Sequence, residues 1–205
     1  MDNPTAERYN RLYQDSVHPF GKKPDFIVED TLKYLSSGII LDLGAGDGRN
    51  SIYLASHGFQ THAIDFSSVA IEKIKEATQI KKIPLHMEIE DIRTWQFIQS
   101  YDAIIATFVL HHLSHSEVLT LIQKMMTHTK IGGLNIIAAF TEEGDFYKKY
   151  PQTQNFYIHG NELKALYAEW EILHYEKRNE PASAKRVDGS PMENVCAYLL
   201  ARKVA

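Results

Sequence analysis

Two aspartates and three glycines lie close together in one short stretch of the chain. The glycines are Gly44, Gly46 and Gly48, at alternate positions, while Asp42 precedes them and Asp47 stands among them. The residues before this stretch are apolar, which is typical of a strand buried on both faces, and those after it have a helical pattern. A strand, a glycine turn and a helix in this order direct backbone N–H groups and a helix N-terminus toward a nucleotide-like ligand.

The charge of this turn indicates which ligand it binds. A dinucleotide fingerprint spaces its glycines as G-x-G-x-x-G so that a pyrophosphate sits on the helix end, whereas the spacing here is G-x-G-x-G. Two carboxylates beside a pyrophosphate would repel it at a cost of several kcal/mol. S-adenosylmethionine (SAM) carries a sulfonium and an ammonium, and it is therefore favoured over a dinucleotide. A turn that serves only as a tight connection is the alternative.

Two further acids are predicted to complete a nucleoside site. Asp65 ends the second predicted strand, 17 residues after Gly48 (65 − 48), where such folds place an acid on the ribose hydroxyls. Asp91 follows the third predicted strand and can accept a hydrogen bond from the adenine amino group while Ile92 packs on the ring. The alternative for each acid is that it only ends a strand. Asp47 of the glycine turn, and Phe66 and Ser67 after Asp65, join the predicted cofactor contacts.

The segment after the fourth predicted strand carries side chains that could contact SAM and the molecule that would accept its methyl group. In an open α/β sheet the ligand crevice lies at the carboxyl ends of the strands, so Thr107, Phe108 and Val109 are predicted to face the cofactor. His112 is the candidate general base for an oxygen or nitrogen acceptor. A packed loop histidine is the alternative for that residue.

Residues predicted to contact an acceptor are spread along the chain: Tyr13, Lys22, His111, Tyr157, Lys185 and Arg186. The aromatic segment around Tyr157 follows a strand end, a natural place for an acceptor pocket or lid. The basic side chains are interpreted either as attracting an anionic acceptor or as solvated surface. His111 and His115 have the i,i+4 spacing of metal ligands, but no third motif completes a set, so no metal is predicted.

The composition is that of one globular domain. Of 205 residues, 44% are hydrophobic and 23% are charged, as in ordinary folded proteins. A net charge of −4 argues against a nucleic-acid partner, which would need clustered Lys and Arg. No apolar run is long enough to span a membrane, and charges throughout the N-terminal residues exclude a secretory signal. The single cysteine, Cys196, fits a reducing cytoplasm.

Seven apolar stretches predict strands, at 39–43, 61–66, 85–89, 101–106, 134–140, 171–175 and 195–201. Helices are predicted over 25–35 and 49–57, and from Ser67 or Ser68, Ser116 and Asn161. Glycines at 132 and 133 predict a turn before the fifth strand, and a polar excursion of about twenty residues is expected between the last two. This order predicts a Rossmann-like, doubly wound α/β fold with a mostly parallel sheet and a C-terminal antiparallel hairpin.

The glycine stretch and the order of elements resemble the class I SAM-dependent methyltransferases. Asp65 and Asp91-Ile92 fall where that superfamily contacts ribose and adenine. At finer grain the chain is similar to the tellurite-resistance TehB-like methyltransferases, from about residue 38 to the end. The matching stretches are Leu41 to Ala55, Asn161-Glu162-Leu163, Leu166-Tyr167, Trp170-Glu171 and Leu200 to Lys203.

The resemblance implies a methyltransferase domain over 39–205 within a single structural domain, which binds SAM and releases S-adenosylhomocysteine. Residues 1–38 are predicted to form a helical cap, interpreted either as cover for the sheet edge or as a flap over the cofactor. We expect a small-molecule acceptor, no membrane partner, and a monomer or homodimer. The methionine part of SAM is assigned to Gly44, Ala45 and Gly46 through their backbone, to Asp42 for its ammonium, and to Arg49 or Asn50 for its carboxylate.

One departure from the family pattern concerns the acceptor. Members that act on tellurite carry a His-Arg pair and a further Arg between the last two strands. Here Lys185 and Arg186 stand in the place of the pair, and the further Arg has no counterpart. The acceptor is therefore left open between a chalcogen anion or thiol, which needs no strong base, and an oxygen or nitrogen compound with His112 as base. A nicotinamide dehydrogenase and a SAM-binding protein without catalysis are the rival functions.

Overall fold

A computed structural model describes residues 4–149, 156–185 and 189–205. Its α-helices are α1 (Pro4–Asp15), α2 (Phe26–Glu29), α3 (Arg49–Ser56), α4 (Ser68–Lys81), α5 (His115–His128), α6 (Asp145–Lys149) and α7 (Glu162–Leu166). Its strands are β1 (Ile39–Leu43), β2 (Gln60–Asp65), β3 (His86–Ile89), β4 (Tyr101–Thr107), β5 (Thr129–Phe140), β6 (Glu171–Lys185) and β7 (Pro191–Arg202). Short 3₁₀ turns cover Asp30–Lys33 and Leu110–His112.

The strands form one seven-stranded sheet in the order β3-β2-β1-β4-β5-β7-β6. β1 is parallel to β2 and to β4, and β2 is parallel to β3. β7 is antiparallel to both β5 and β6. This confirms the predicted α/β fold with a mostly parallel sheet and antiparallel C-terminal strands. The strand order reverses between β1 and β4, and ligands of open α/β sheets bind outside the carboxyl ends of the strands at such a point.

The chain divides into two compact units, Met1–Ile105 and Ala106–Ala205. The first unit is built around β1, whose Leu41 and Leu43 are fully buried. β1 is hydrogen-bonded on both sides, which is why its sequence is almost wholly apolar. β3 forms the outer edge and alternates apolar with polar residues, as its sequence predicts. Within the described residues, no helix is both long enough and apolar enough to cross a bilayer.

The second unit contains strands that are longer than predicted. β5 begins at Thr129, so the expected turn at Gly132 is part of the strand. Gly132 has φ +79°, its N–H donates to the carbonyl of Lys203, and the N–H of Lys203 donates to the carbonyl of Gly133. Two residues of β5 thus face one residue that follows β7. Because this is a glycine bulge rather than a chain reversal, the pattern that predicted a turn was misread.

The predicted polar excursion between the last two strands is also wrong over the described residues. β6 continues from Glu171 to Lys185 and pairs with β7 as far as Pro191. The extension of β6 over residues 176–181 has no buried side chain, so its sequence lacks the apolar alternation on which the prediction depended. The predicted turn at 188–189 includes residue 188, which lies outside the described residues; Gly189 itself has φ +84°.

Helix starts were predicted to within a residue or two. Ser67 caps α4, and its hydroxyl accepts from the N–H of Ala70 at 3.1 Å. The cap of α5 is Ser114 rather than Ser116, because Ser114 forms a reciprocal capping box with Glu117. Asn161 occupies the N-cap position of α7 without a side-chain cap bond. The helix predicted over 25–35 is α2 followed by a 3₁₀ turn, and it ends at residue 33.

Candidate active site

The turn between β1 and α3 has the backbone conformation that its glycines predict. Gly44, Gly46 and Gly48 have φ angles of +70°, +58° and +82°, in the left-handed region where residues with a Cβ are strained. Gly48 is also the N-cap of α3. The turn lies directly after the carboxyl end of β1, so it borders the ligand crevice expected for this type of sheet.

The N–H groups of this turn point into the protein. Those of Gly44 and Ala45 both donate to the carbonyl of Ile64, at 2.8 and 2.9 Å. That of Gly46 donates to the carboxylate of Asp65 at 2.9 Å. These N–H groups therefore already have acceptors on β2, and the assignment of the methionine part of SAM to the backbone of Gly44, Ala45 and Gly46 stays a prediction.

Asp65 is buried at the end of β2 and is oriented by two backbone groups. Its Oδ2 accepts from the Gly46 N–H at 2.9 Å, and its Oδ1 accepts from the Ser67 N–H at 2.8 Å. Burial raises the pKa of Asp65, and the two backbone hydrogen bonds offset only part of that rise. Each oxygen keeps a further lone pair. The carboxylate is thus fixed in position and still able to accept from two hydroxyl groups, which is what the predicted ribose contact requires.

Asp42 is fully buried at the end of β1. It accepts a hydrogen bond from the Ser51 hydroxyl of α3 at 2.5 Å. Burial raises the pKa of Asp42 to about 7, although the Ser51 hydrogen bond lowers it and the nearby Asp25 carboxylate raises it further. A cationic ligand beside such a carboxyl would favour its ionised form. The group is therefore suited to a positively charged partner and unsuited to an anionic one.

Asp25 is a residue of this site that the sequence analysis missed. Its carboxylate forms an ion pair with Arg49 at 2.7 Å and accepts from the Asn50 amide at 3.3 Å. The backbone N–H of Asp25 donates to the Asn50 side-chain oxygen at 2.9 Å, and Arg49 also donates to the Phe20 carbonyl at 3.1 Å. The two side chains predicted to hold a methionine carboxylate thus fasten the segment before α2 to the start of α3. The sequence signal that could have indicated Asp25 was its position as an acid at the start of a predicted helix.

Helix α1 and the residues after it cover the glycine turn. Tyr13 is 3% exposed, and its hydroxyl lies 2.6 Å from where a Cβ on Gly46 would stand. Burial, with the Asp65 and Asp47 carboxylates adding to it, raises the pKa of Tyr13, so the hydroxyl stays protonated. His18 Nδ1 lies 2.8 Å from the Asp47 carboxylate. Asp47, predicted to contact the cofactor, therefore also anchors the covering segment.

The same covering segment contacts the start of α4. Asn10 accepts from the Ser67 hydroxyl at 2.7 Å. The ring of Tyr9 meets that of Phe66 edge-on, with centroids 5.7 Å apart. Lys73 donates to the carbonyl of Ser16 at 2.7 Å. These contacts hold the covering segment against the start of α4, and the interpretation of residues 1–38 as a flap stays a prediction.

The fit of Tyr13 over the turn gives a first testable prediction. Gly46→Ala is expected to destabilise the protein by ~1–3 kcal/mol, because the new Cβ is strained at φ +58° and meets the tyrosine hydroxyl. Tyr13→Phe removes that oxygen and leaves the ring Cζ, 3.6 Å away, as the nearest atom. The double variant should therefore recover about 1 kcal/mol relative to additivity, measured by urea denaturation of the four proteins.

Gly58→Ala is the matched control for this cycle. Gly58 also has a positive φ, +90°, but its Cβ would meet nothing within 4 Å. The stability lost in Gly58→Ala should be the same with and without Tyr13→Phe. Strict additivity of the Gly46 and Tyr13 substitutions would contradict the close approach.

Asp91 and Ile92 follow β3. Ile92 is buried. The Asp91 carboxylate accepts from the backbone N–H and from Nε of Arg93, at 3.0 and 2.9 Å. Burial raises the pKa of Asp91, but the hydrogen bonds and charge of Arg93 outweigh it and the net shift is downward. The predicted adenine contact stays a prediction; the arginine that shares the carboxylate was not anticipated.

In the second unit, the residues after β4 form an aromatic cluster. Thr107 and Val109 are buried. Phe108 has φ +52°, a strained conformation for a residue of this size, and its N–H donates to the Ala138 carbonyl at 2.7 Å. Its ring packs against Phe140, with centroids 5.4 Å apart. A strained backbone held in place by packing is common where a chain is shaped for a ligand.

The histidines that follow are not grouped as metal ligands. His111 and His112 have ring centroids 3.9 Å apart, and His111 also packs edge-on against Phe140 at 4.9 Å. His115 lies 2.5 Å from the Glu162 carboxylate and stacks on Phe156. The i,i+4 pair is thus divided between two environments. The role of His112 as a base stays a prediction.

The remaining predicted acceptor residues lie on three separate segments of the chain. Tyr157 is buried and packs edge-on against Tyr147, with centroids 5.3 Å apart. Lys22 is exposed on the segment before α2. Lys185 ends β6, but its side chain, like all of Arg186, lies outside the described residues.

Comparison with known proteins identifies the family. The family model described as "Tellurite resistance protein TehB" matches residues 22–188. The chain belongs to the TehB family. A relative in Haemophilus influenzae (strain 10810), named "Probable S-adenosyl-L-methionine-dependent methyltransferase TehB", is 31% identical over 176 residues, which cover 86% of this chain and 61% of the relative. The chain thus spans about three fifths of the length of that TehB protein.

Two solved structures share the fold of this chain. The crystal structure of TehB from Haemophilus influenzae matches with a TM-score of 0.80 at 28% identity, covering 95% of this TehB-family chain and 67% of that one. Magnesium protoporphyrin IX methyltransferase from Synechocystis, solved with bound S-adenosylhomocysteine, matches with a TM-score of 0.68 at 16% identity over 97% of each chain. At that identity the second likeness shows the shared fold alone.

Proposed function

We propose that this TehB-family chain is a SAM-dependent methyltransferase that acts on a small molecule. The observation that carries the proposal is the buried Asp65 carboxylate, oriented by two backbone N–H groups beside a glycine turn. Asp42, buried on the neighbouring strand, adds a second acidic group. The names of the TehB relatives support the same activity.

The residues present fit SAM in charge and in hydrogen-bonding capacity. Asp65 has the lone pairs to accept from both ribose hydroxyls. Asp42 would hold the ammonium, directly or through a water molecule, and Asp91 with Ile92 would contact the adenine. When bound, SAM supplies an electrophilic methyl group on a sulfonium whose sulfur leaves as a neutral sulfide. Tyr13 and the rest of the covering segment would exclude water from it.

The protein's contribution to catalysis is then mainly alignment. Holding donor and acceptor in a reactive orientation is worth roughly 7–11 kcal/mol. We propose a chalcogen anion or a thiol as the acceptor, because such nucleophiles need no strong base and because the family description refers to tellurite resistance. An oxygen or nitrogen acceptor with His112 as base is the second candidate. Cytoplasmic location and a monomeric or homodimeric state remain predictions.

Substitution of His112 separates the two acceptor classes. With a chalcogen anion or a thiol that reacts as its thiolate, His112→Ala is expected to change kcat by no more than about threefold, because the nucleophile is already an anion when it attacks and a thiol loses its proton to solvent beforehand. With an oxygen or nitrogen acceptor that needs a base, the loss should be about 10²–10⁴-fold. The rate is read as S-adenosylhomocysteine formed, and an unchanged Kd for SAM serves as the control for folding.

Binding and turnover test the proposal itself. Calorimetric titration with SAM and with NAD should show binding of SAM alone. Turnover is then screened with selenite, tellurite, thiols, halides and small phenols by following S-adenosylhomocysteine. SAM binding without product from any acceptor would favour a binding protein without catalysis. Tight binding of NAD in place of SAM would overturn the proposal.

A further inference from the structure

Two histidines and a glutamate converge on the outer strands of the sheet in the first unit. His62 of β2 is paired in register with His86 of β3, and Glu88 lies two residues farther along β3 on the same face. One ligand atom from each side chain lies within 4.8 Å of the other two. Imidazole nitrogens and a carboxylate are ligands that Zn²⁺ and similar divalent ions take in proteins.

The contacts within this cluster leave a nitrogen without a hydrogen bond. His62 Nε2 is buried and makes no hydrogen bond, although it lies 3.0 Å from Glu88 Oε1. His86 Nε2 approaches the same oxygen at 2.9 Å. Buried polar atoms in proteins nearly always have a partner. A cation between His62 Nε2 and the carboxylate would supply one.

A buried tryptophan orients the carboxylate from the other side. Trp95 donates its indole N–H to Glu88 Oε2 at 3.1 Å and packs edge-on against His62, with centroids 5.6 Å apart. Outer partners of this kind fix the direction of metal ligands and strengthen binding. His86 has a side chain that is 65% exposed, so the cluster is open to ions from solvent on that side.

We propose that His62, His86 and Glu88 bind a divalent transition-metal ion of the Zn²⁺ class. Ligands that surround a tetrahedral zinc ion at about 2.0–2.1 Å lie roughly 3.3 Å apart. The observed separations of 3.0 and 2.9 Å need to widen by only a few tenths of an ångström. Three protein ligands leave a position for water. Because the ligands come from two strands, the ion ties the edge strand β3 to β2.

Zinc titration followed by tryptophan fluorescence tests this site. The chain has two tryptophans, so Trp170→Phe leaves Trp95 as the sole reporter beside the cluster. Micromolar ZnCl₂ should change the emission of that variant with a stoichiometry of one and raise its Tm. Co²⁺ should give the visible absorption bands of a low-symmetry site. His86→Gln, at an exposed position, should weaken binding at least tenfold.

A second exposed histidine provides the control. His159 also lies 2.5 Å from a glutamate, Glu142, but it is not part of the three-residue cluster, so His159→Gln should leave zinc binding unchanged. Glu88→Gln keeps an oxygen for Trp95 while removing the charge, and it should weaken binding as His86→Gln does. Zinc affinity unaffected by either cluster substitution, or no response of Trp95, would overturn the proposal.

Discussion

Asp65→Asn is expected to weaken SAM binding by on the order of 10²-fold or more. Both oxygens of Asp65 accept backbone N–H groups, from Gly46 and from Ser67. Whichever way an asparagine amide is turned, its NH₂ faces one of those donors, so the glycine turn loses an anchor. The variant also loses the charge that strengthens two proposed hydrogen bonds to the ribose, each worth ~1.5–3 kcal/mol. Calorimetric titration with SAM measures the effect.

Glu90→Gln is the matched control for this substitution. Glu90 is exposed, and its backbone N–H donates to the Asp65 carbonyl, so a charge is removed close by without touching the proposed ribose contact. Its Kd for SAM should stay within about threefold of the wild type. A thermal melt is needed to check that Asp65→Asn is folded at the titration temperature. Retention of wild-type affinity by folded Asp65→Asn would remove the main support for the proposed function.

Asp42→Asn is expected to stabilise the protein above pH 7 while abolishing SAM binding there. The pKa of Asp42 is raised from 3.8 to about 7, chiefly by burial. The folded state therefore binds more protons than the unfolded state between these values, and this group's contribution to stability falls as pH rises through that window. Asparagine does not ionise, so the variant does not lose this stability as pH rises. The free energy of unfolding of Asp42→Asn should exceed that of wild type by near zero at about pH 4 and by on the order of 2–4 kcal/mol above pH 7.

Urea denaturation of wild type and Asp42→Asn across this pH range measures the stability difference. In wild type, SAM affinity should rise as Asp42 ionises on passing through pH 7. Ser51→Ala provides the opposite test, because the Ser51 hydroxyl lowers the pKa of Asp42 and its removal should move the rise in affinity to higher pH. Parallel stability profiles for wild type and Asp42→Asn would show that Asp42 does not titrate as argued.

The parallel half of the sheet could be predicted because its strands are buried. β1 at 39–43 agrees with its predicted bounds and β4 agrees to within one residue, since strands covered on both faces are nearly continuously apolar. β2 also agrees to within one residue, although it contains the buried polar residues Thr61, His62 and Asp65. The predicted end of β6 was wrong because the outer part of this strand is not buried and need not be apolar. The turn predicted at Gly132 was wrong for a different reason. Glycine with positive φ is compatible with a turn and with a bulge, and only the partner strand distinguishes them.

The site itself was predictable where a residue's role depends on its strand. Asp42 and Asp65 come at strand ends, so their positions followed from the strands. Asp25 and Tyr13 lie in the N-terminal segment, far in sequence from the turn they contact. Such contacts depend on how a segment folds back, and no local pattern encodes them. For the same reason Arg49 could be placed beside the turn, but its pairing with Asp25 could not be foreseen.

The inward direction of the turn's amides has a consequence for selectivity among coenzymes. Phosphate-bearing coenzymes are recognised where a glycine loop offers unsatisfied donors at a helix start. Here the amides of Gly44, Ala45, Gly46 and Gly48 are already donated to protein acceptors. A phosphate oxygen arriving at this loop would have to compete with bonds that hold the two strands together. We therefore expect this backbone to disfavour nicotinamide coenzymes, and we expect the preference to persist when the neighbouring carboxylates are neutralised.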